Sequence, residues 1–423
     1  MQAPIGRNFA DQTALVAGTD GNFYGTTGGG GAYNNASQCP SGCGTVFKIT
    51  PAGALKTLYS FCAQTNCPDG SGPNALVLGS DGNFYGTSAN GGTSTACGVY
   101  GCGTVFKITP QGAFTSLHSF DVTDGDSITA PLMQAADGNF YGVAQADGPL
   151  LYGTVFRITP KGKLTTIYSF GAQPNFADGA NPWARLVQAA NGHLYGVTLN
   201  GGANCQNPSA PSFCGTVFEV SLAGAFSVLH SFCQQTSCPD GAAPLPGLIQ
   251  GSDGNLYGTT FVGGTGTNCS PAFPFGPGCG TVFQITPSGT LTTLHDFDGT
   301  DGGPFIQGLV QGTNGTFYGG TGQGGTSSAC SGGCGTIFSL SVGLEPFVET
   351  LPTSGTFRHA VKILGTNLTE ATCVRFNLRE APFKVVSPTE IDTIVPPGAR
   401  TGFVTVTTPG GTLKSNVKFQ VRP

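Results

Sequence analysis

The side chains able to do acid–base chemistry in this 423-residue chain fall into repeated slots. His118, His230 and His295 occupy one slot, where other copies carry Tyr59 and Tyr168. A slot that accepts either ring wants a half-buried aromatic body with a polar tip, not a proton shuttle. His193 falls in a turn and His359 near the C-terminus. Asp20, Asp81, Asp137 and Asp253 precede glycine in a hairpin where Asn191 and Asn314 substitute freely, so the turn and not the charge is required. A second series, Asp69, Asp124, Asp178, Asp240 and Asp301, again precedes glycine and reads as turn capping. DVTDGDS and DGTDGG carry extra acids in a calcium-like density, but lack the later glutamate of a calcium loop. The position after each Val-Phe (or Ile-Phe) reads Lys48, Lys107, Arg157, Glu219, Gln284 and Ser339, a mixture of signs expected of a solvated site. No zinc-protease, nucleophile-elbow or triad pattern is present. No catalytic residue, cofactor site or metal site is expected from this inventory, with calcium at the two acidic stretches as the alternative to turn capping.

Fourteen of the fifteen cysteines form seven close pairs: Cys39/Cys43, Cys62/Cys67, Cys97/Cys102, Cys205/Cys214, Cys233/Cys238, Cys269/Cys279 and Cys330/Cys334. Such local pairs in Gly- and Ser-rich loops read as disulfide staples made in an oxidising compartment. Metal binding is the rival reading, but no pair is placed beside a histidine or a second pair at zinc-site spacing. The third copy replaces the cysteine loop with AQADGPLLYG, and a part that can be omitted is a staple. Cys373 stands alone and is expected to be a small buried hydrophobe in a strand.

The elements that carry these slots are themselves repeated. DGNFYGT-like phrases recur six times, with Tyr24, Tyr85, Tyr141, Tyr195, Tyr257 and Tyr318 spaced 54 to 62 residues apart. Each unit contains four short apolar runs separated by Asp-Gly or Asn-Gly and Pro-x-Gly turns, and no 3.6-residue pattern. Four antiparallel strands written six times predict an all-β chain, a six-bladed β-propeller over 1–343. Residues 344–423 hold nine of the 17 Lys and Arg and no paired cysteine. Their short alternating runs predict an immunoglobulin-like β-sandwich. Blade six lacks a clear fourth strand, and residues 3–9 are expected to close it, or to be donated to a neighbouring copy.

The phrases DGNFYGTT and GTVFKITP and runs such as LTTIYSF resemble the GloVer tandem repeat of secreted, choice-of-anchor bacterial proteins. That resemblance implies an exported, repeat-built protein. The C-terminal VKILGTNL and VTVTTPGG runs resemble an IPT/TIG domain, which implies the same Ig-like sandwich.

Charged residues are 9% of the chain and the formal charge is −5, so no basic face for nucleic acid or anionic lipid is expected. No run is long and apolar enough to span a membrane as a helix, and no basic-then-apolar leader opens the chain. Asn35, Asn268, Asn314 and Asn367 begin glycosylation sequons. Trp183, the single tryptophan, breaks its repeat and is a candidate glycan contact. The function expected is a non-enzymatic structural protein of the bacterial cell surface that self-associates into a polymer or array. Glycan binding is the alternative, and a polysaccharide-active enzyme a third reading.

Overall fold

The computed structural model describes residues 15–422 except 36–38, 204, 206–212, 246, 267, 270–277, 305, 328 and 331. Strands hold 43% of the chain and helices 2%, so the chain is all-β. The only helices among the described residues are single 3-10 turns at Gly98–Tyr100 and Pro174–Phe176. No helix is long and apolar enough to cross a membrane.

Six antiparallel sheets follow one another along the chain, spanning 16–60, 71–119, 133–169, 180–231, 249–296 and 310–340. Each is a meander in which sequence neighbours pair. In the second sheet, Val77–Leu78, Phe84–Asn90, Thr104–Ile108 and Phe114–Ser119 are joined in that order, and Ser71–Pro73 adds to the far end of the second strand. In sheets one to five, the register slips by one residue within the Val-Phe step of the third strand, as at Val105/Phe106. Such a bulge sharpens local twist.

The repeated phrase has a structural reason at each position. In the second sheet, Gly82 takes φ +80°, which the hairpin turn requires. Asp81 accepts hydrogen bonds from the Asn83 N–H and side chain, closing the turn. Phe84 stacks on Tyr24 of the preceding sheet at 4.0 Å, as Phe140 does on Tyr85. Tyr85 is fully buried. Gly86 leaves room for the Phe106 ring of the adjoining strand, whose Cζ would lie 2.5 Å from an added Cβ. Consecutive sheets are also tied by glutamines: the Gln134 side chain accepts the Ser80 N–H at 2.8 Å, and Gln188 accepts the Ala136 N–H at 2.8 Å.

The sixth sheet differs. Val310–Gln311, Phe317–Gly320 and Ile337–Leu340 form three strands, and among the described residues no fourth pairs with Ile337–Leu340. Ile337 is 91% exposed, whereas its counterparts Val46, Val105, Val155, Val217 and Val282 are fully buried. The expected closing segment, residues 3–9, lies outside the described residues.

The C-terminal segment forms two further four-stranded sheets. One joins Glu349–Leu351, Ala360–Leu364, Glu390–Ile394 and Phe383–Ser387, and the other Arg379–Glu380, Cys373–Phe376, Val404–Thr408 and Gly411–Lys414. Alternation sends Val361, Ile363 and Ile391 from the first, and Val374, Phe376, Val404 and Val406 from the second, into one apolar cluster. Cys373 is not in it. It shares the opposite side of its strand with Arg375 and is half-buried, because a one-residue step in a strand changes face.

The chain divides into two compact units. The first comprises Met1–Leu248, Tyr257–Gly308 and Thr321–Gly335. The second comprises Ile249–Leu256, Leu309–Gly320 and Thr336–Pro423, so it takes in strands of the sixth sheet as well as the C-terminal sheets.

The glycine in each second strand is a tight packing constraint at a backbone conformation any residue could adopt. At Gly142 an added Cβ would lie 2.6 Å from Phe156 Cζ. Gly142→Ala is expected to destabilise the chain by about 1–3 kcal/mol through overpacking, read as a lower urea midpoint at unchanged slope.

Candidate functional site

Two sets of polar clasps gather the repeated titratable side chains. In the first, the buried tyrosine of the second strand donates its hydroxyl to the turn aspartate: Tyr24 to Asp20 at 2.8 Å, Tyr85 to Asp81 at 2.8 Å, Tyr141 to Asp137 at 2.9 Å. The side chain after Val-Phe in the third strand completes the group. Lys48 binds Asp20 at 2.7 Å and Lys107 binds Asp81 at 3.0 Å. In the fourth sheet the polarity is reversed. Asn191 donates to the Tyr195 hydroxyl, which donates in turn to Glu219 at 3.0 Å, and Glu219 also pairs with His193. In the fifth, Gln284 donates to the Tyr257 hydroxyl at 3.0 Å. The mixed signs expected of a solvated position are thus complements to the local turn, because one buried hydroxyl must be satisfied whichever residue caps the hairpin.

These contacts set the local acidities. Burial alone would raise Asp81, but hydrogen bonds from Asn83, Lys107 and Tyr85 outweigh it and hold the carboxyl down at about 2, against an ordinary 3.8. Asp20 and Asp137 are lowered in the same way. Tyr141 is pushed up to about 12, by burial first and then by Asp137.

The second set joins two series that sequence reasoning treated apart. Tyr59 donates to Asp69 and Tyr168 to Asp178, each at 2.8 Å. His118, His230 and His295 meet Asp124, Asp240 and Asp301 at 2.6, 2.8 and 2.7 Å through Nε2. Each aspartate also accepts a backbone N–H from the link beyond the fourth strand, such as Cys62 to Asp69 and Ala172 to Asp178. Asp121 and Asp298, the extra acids of the calcium-like stretches, cap their own turns through Thr123 and Thr300.

Three groups fall outside this scheme. Cys39, Cys43, Cys62 and Cys67 place all four sulfurs within 4.8 Å of one another, which corrects the expectation that no cysteine pair lies beside a second pair at zinc-site spacing. Asp126 and Asp147 lie together next to Cys97. Asp126 Oδ1 is buried without a hydrogen-bond partner among the described residues. Burial raises its pKa, a hydrogen bond with Ser127 opposes this, and the like charge of Asp147 adds to the rise. Arg185 stands where the other described copies carry Ala75, Pro131, Gly247 and Gly308. Its side chain is exposed and forms no ion pair among the described residues. A break in the repeat slot is the signal that would have found it.

The disulfides join Cys39–Cys43, Cys62–Cys67, Cys97–Cys102, Cys205–Cys214, Cys233–Cys238, Cys269–Cys279 and Cys330–Cys334. Seven of them indicate a compartment outside the reducing cytoplasm. Trp183 is half-buried against the cluster of Leu199, Ala242, Ala243, Phe261 and Val262. Asn314 is engaged in its hairpin, donating to the Tyr318 hydroxyl, and Asn367 is exposed with φ +56°.

The Gloeobacter/Verrucomicrobia repeat model matches residues 4–210 and 207–361. The chain belongs to this repeat family. No curated protein matches. Among solved structures, the chain is similar to the periplasmic gluconolactonase of Pseudomonas aeruginosa at 16% identity and TM-score 0.41, covering 90% of this chain and 94% of that one. It is similar to the PQQ-bound aldose sugar dehydrogenase of Streptomyces coelicolor at 13% identity and TM-score 0.41, covering 77% and 92%. A luciferin-regenerating enzyme matches at 11% identity and TM-score 0.40, covering 77% and 90%. Similarity at this level assigns no activity to this repeat chain.

Two outcomes follow from the clasps and a third from Asp126. Asp178 is fully buried. Asp178→Ala orphans the Tyr168 hydroxyl and the Ala172 N–H and is expected to cost about 2–4 kcal/mol in chemical denaturation. Asp81 has its native pKa below the ordinary value, so its contribution is present above about pH 4 and lost as pH falls toward about 2. Asp81→Asn should therefore flatten the acid limb of the melting-temperature profile. Asp126 is the opposite case: a raised native pKa means a penalty at neutral pH that vanishes in acid. Asp126→Asn should raise the melting temperature at pH 7 and leave it unchanged at pH 3.

Proposed function

We propose that the chain is a non-enzymatic structural protein of the extracellular surface. The six sheets serve as the blades of a propeller, the C-terminal pair as an Ig-like sandwich, and the sixth sheet accepts a strand from a neighbouring copy. The observation that supports this is the outer edge of Ile337–Leu340, which lacks a fourth strand among the described residues and exposes Ile337 where every other copy buries valine. An apolar, half-finished edge is a template for strand addition. The clasps point the same way. The carboxylates, tyrosines and histidines that recur through the repeats are engaged in holding turns and links, which is the work of a scaffold.

Light scattering after size exclusion, with electron microscopy of the non-reduced protein, tests the reading. Wild-type protein should form multi-copy assemblies, and the double variant Ile337→Lys, Ser339→Pro should remain single with an unchanged melting temperature. Single wild-type chains at every accessible concentration would refute assembly through this edge.

A further inference from the structure

Cys39, Cys43, Cys62 and Cys67 are spaced C-x3-C-x18-C-x4-C. Four-cysteine zinc sites are written with about two to four residues inside each pair and about 15–20 between the pairs. The fold supplies the reason these two pairs meet. Cys39 and Cys43 lie in the loop that enters Thr45–Ile49, and Cys62 and Cys67 in the link that leaves Leu55–Ser60. Those strands are paired neighbours, with Thr45 opposite Ser60, so both cysteine pairs emerge at one corner of the first sheet. All four sulfurs fall within 4.8 Å of one another. A tetrahedron with Zn–S bonds of about 2.3 Å has S···S edges of about 3.8 Å, so small side-chain shifts convert one arrangement into the other.

The surroundings suit a thiolate cluster. Cys43, Cys62 and Cys67 are buried with Val46, Phe61 and Leu76, and Cys39 packs at their edge. The Asn35 amide lies 3.9 Å from Cys67 Sγ, as a donor to sulfur. The fourth copy places Cys205, Cys214, Cys233 and Cys238 in the same slots, but with eight residues inside its first pair. Among the described residues, only the first copy brings four sulfurs together.

We propose that the reduced chain binds one zinc ion through Cys39, Cys43, Cys62 and Cys67, and that the disulfides Cys39–Cys43 and Cys62–Cys67 are the oxidised state of the same site. The exchange balances. Each disulfide takes two electrons and two protons from a dithiol, which becomes a disulfide itself. Zinc then displaces four thiol protons and leaves a Zn(Cys)4 centre of net charge −2. In the reverse direction a disulfide-exchange oxidant removes four electrons, the two S–S bonds form and zinc is released. Either state cross-links the same corner, so the first sheet is held together on both sides of a change in redox compartment.

The full chain is reduced with a phosphine under native conditions, given Zn²⁺ and examined by native mass spectrometry, with iodoacetamide labelling mapped by peptide. The expected result is one zinc per chain, with these four cysteines protected and the other reduced cysteines labelled. Cys39→Ser with Cys62→Ser should abolish zinc binding, while Cys97→Ser with Cys102→Ser should retain it. Absence of bound zinc, retention of zinc by the first double variant, or labelling of the four at the rate of the rest would overturn the proposal. So would reduction that proceeds only with loss of the β circular-dichroism signal, because the site exists only in the folded corner.

Discussion

A phenolic hydroxyl buried beside a hairpin turn governs this architecture. The second strands of the first five sheets carry a buried tyrosine, whose ring packs against the following sheet as Tyr24 does on Phe84 and Tyr85 on Phe140, and whose oxygen would be orphaned there without a partner. The turn residue four positions earlier supplies it: Asp20 for Tyr24, Asp81 for Tyr85, Asp137 for Tyr141. Because the same carboxylate also closes the turn through the following asparagine, one residue joins hairpin geometry to core packing. The third strand then adjusts to the turn. Lysine meets aspartate in the first two copies, while in the fourth glutamate meets the tyrosine hydroxyl and a histidine. The constraint is that the hydroxyl be satisfied, and different residue sets meet it.

The second clasp applies the same rule between copies. A ring at the end of the fourth strand, Tyr59 or His118 for example, holds an aspartate further along the link that follows, and that aspartate gathers the backbone N–H groups of the turn. Tyrosine and histidine interchange because each presents a donor to a carboxylate from a half-buried aromatic body. These His–Asp pairs look like catalytic dyads in isolation. They recur with tyrosine in place of histidine, and in each of these copies they tie the fourth strand to the link that follows it.

The strands and hairpins were legible in the sequence because their signals are local. Asp-Gly and Asn-Gly turns lie between short apolar runs, and six copies reinforce one another. The clasps were not legible as pairs. Asp69 lies ten residues beyond Tyr59 and Asp124 six beyond His118, across links of different length, so each series reads as an independent turn or core position. The position after Val-Phe is unreadable for a related reason: its sign varies because its partner varies, and that partner lies across the whole second strand, in the turn before it. The cysteine quartet had a readable spacing, but its meaning depends on Thr45 facing Ser60, which is a matter of register. Cys373 shows the limit of strand reasoning without a face, since its neighbour Val374 occupies the core.

In an array of like units, an interior copy has its faces covered by neighbours, and the terminal copies must be made different. This chain follows that logic. Tyr24, Tyr85, Tyr141, Tyr195 and Tyr257 are at most 1% exposed, whereas Tyr318 in the last copy is 37% exposed. The last copy also shows three strands among the described residues, and the first copy concentrates four sulfurs at one corner. Selection for packing explains why the inner copies resemble one another. It does not explain these departures, which cost buried area at one end and place two cross-links side by side at the other. Features that weaken the uniform solution persist where something other than internal packing is satisfied. The first and last copies are therefore where the chain departs furthest from its own repeat.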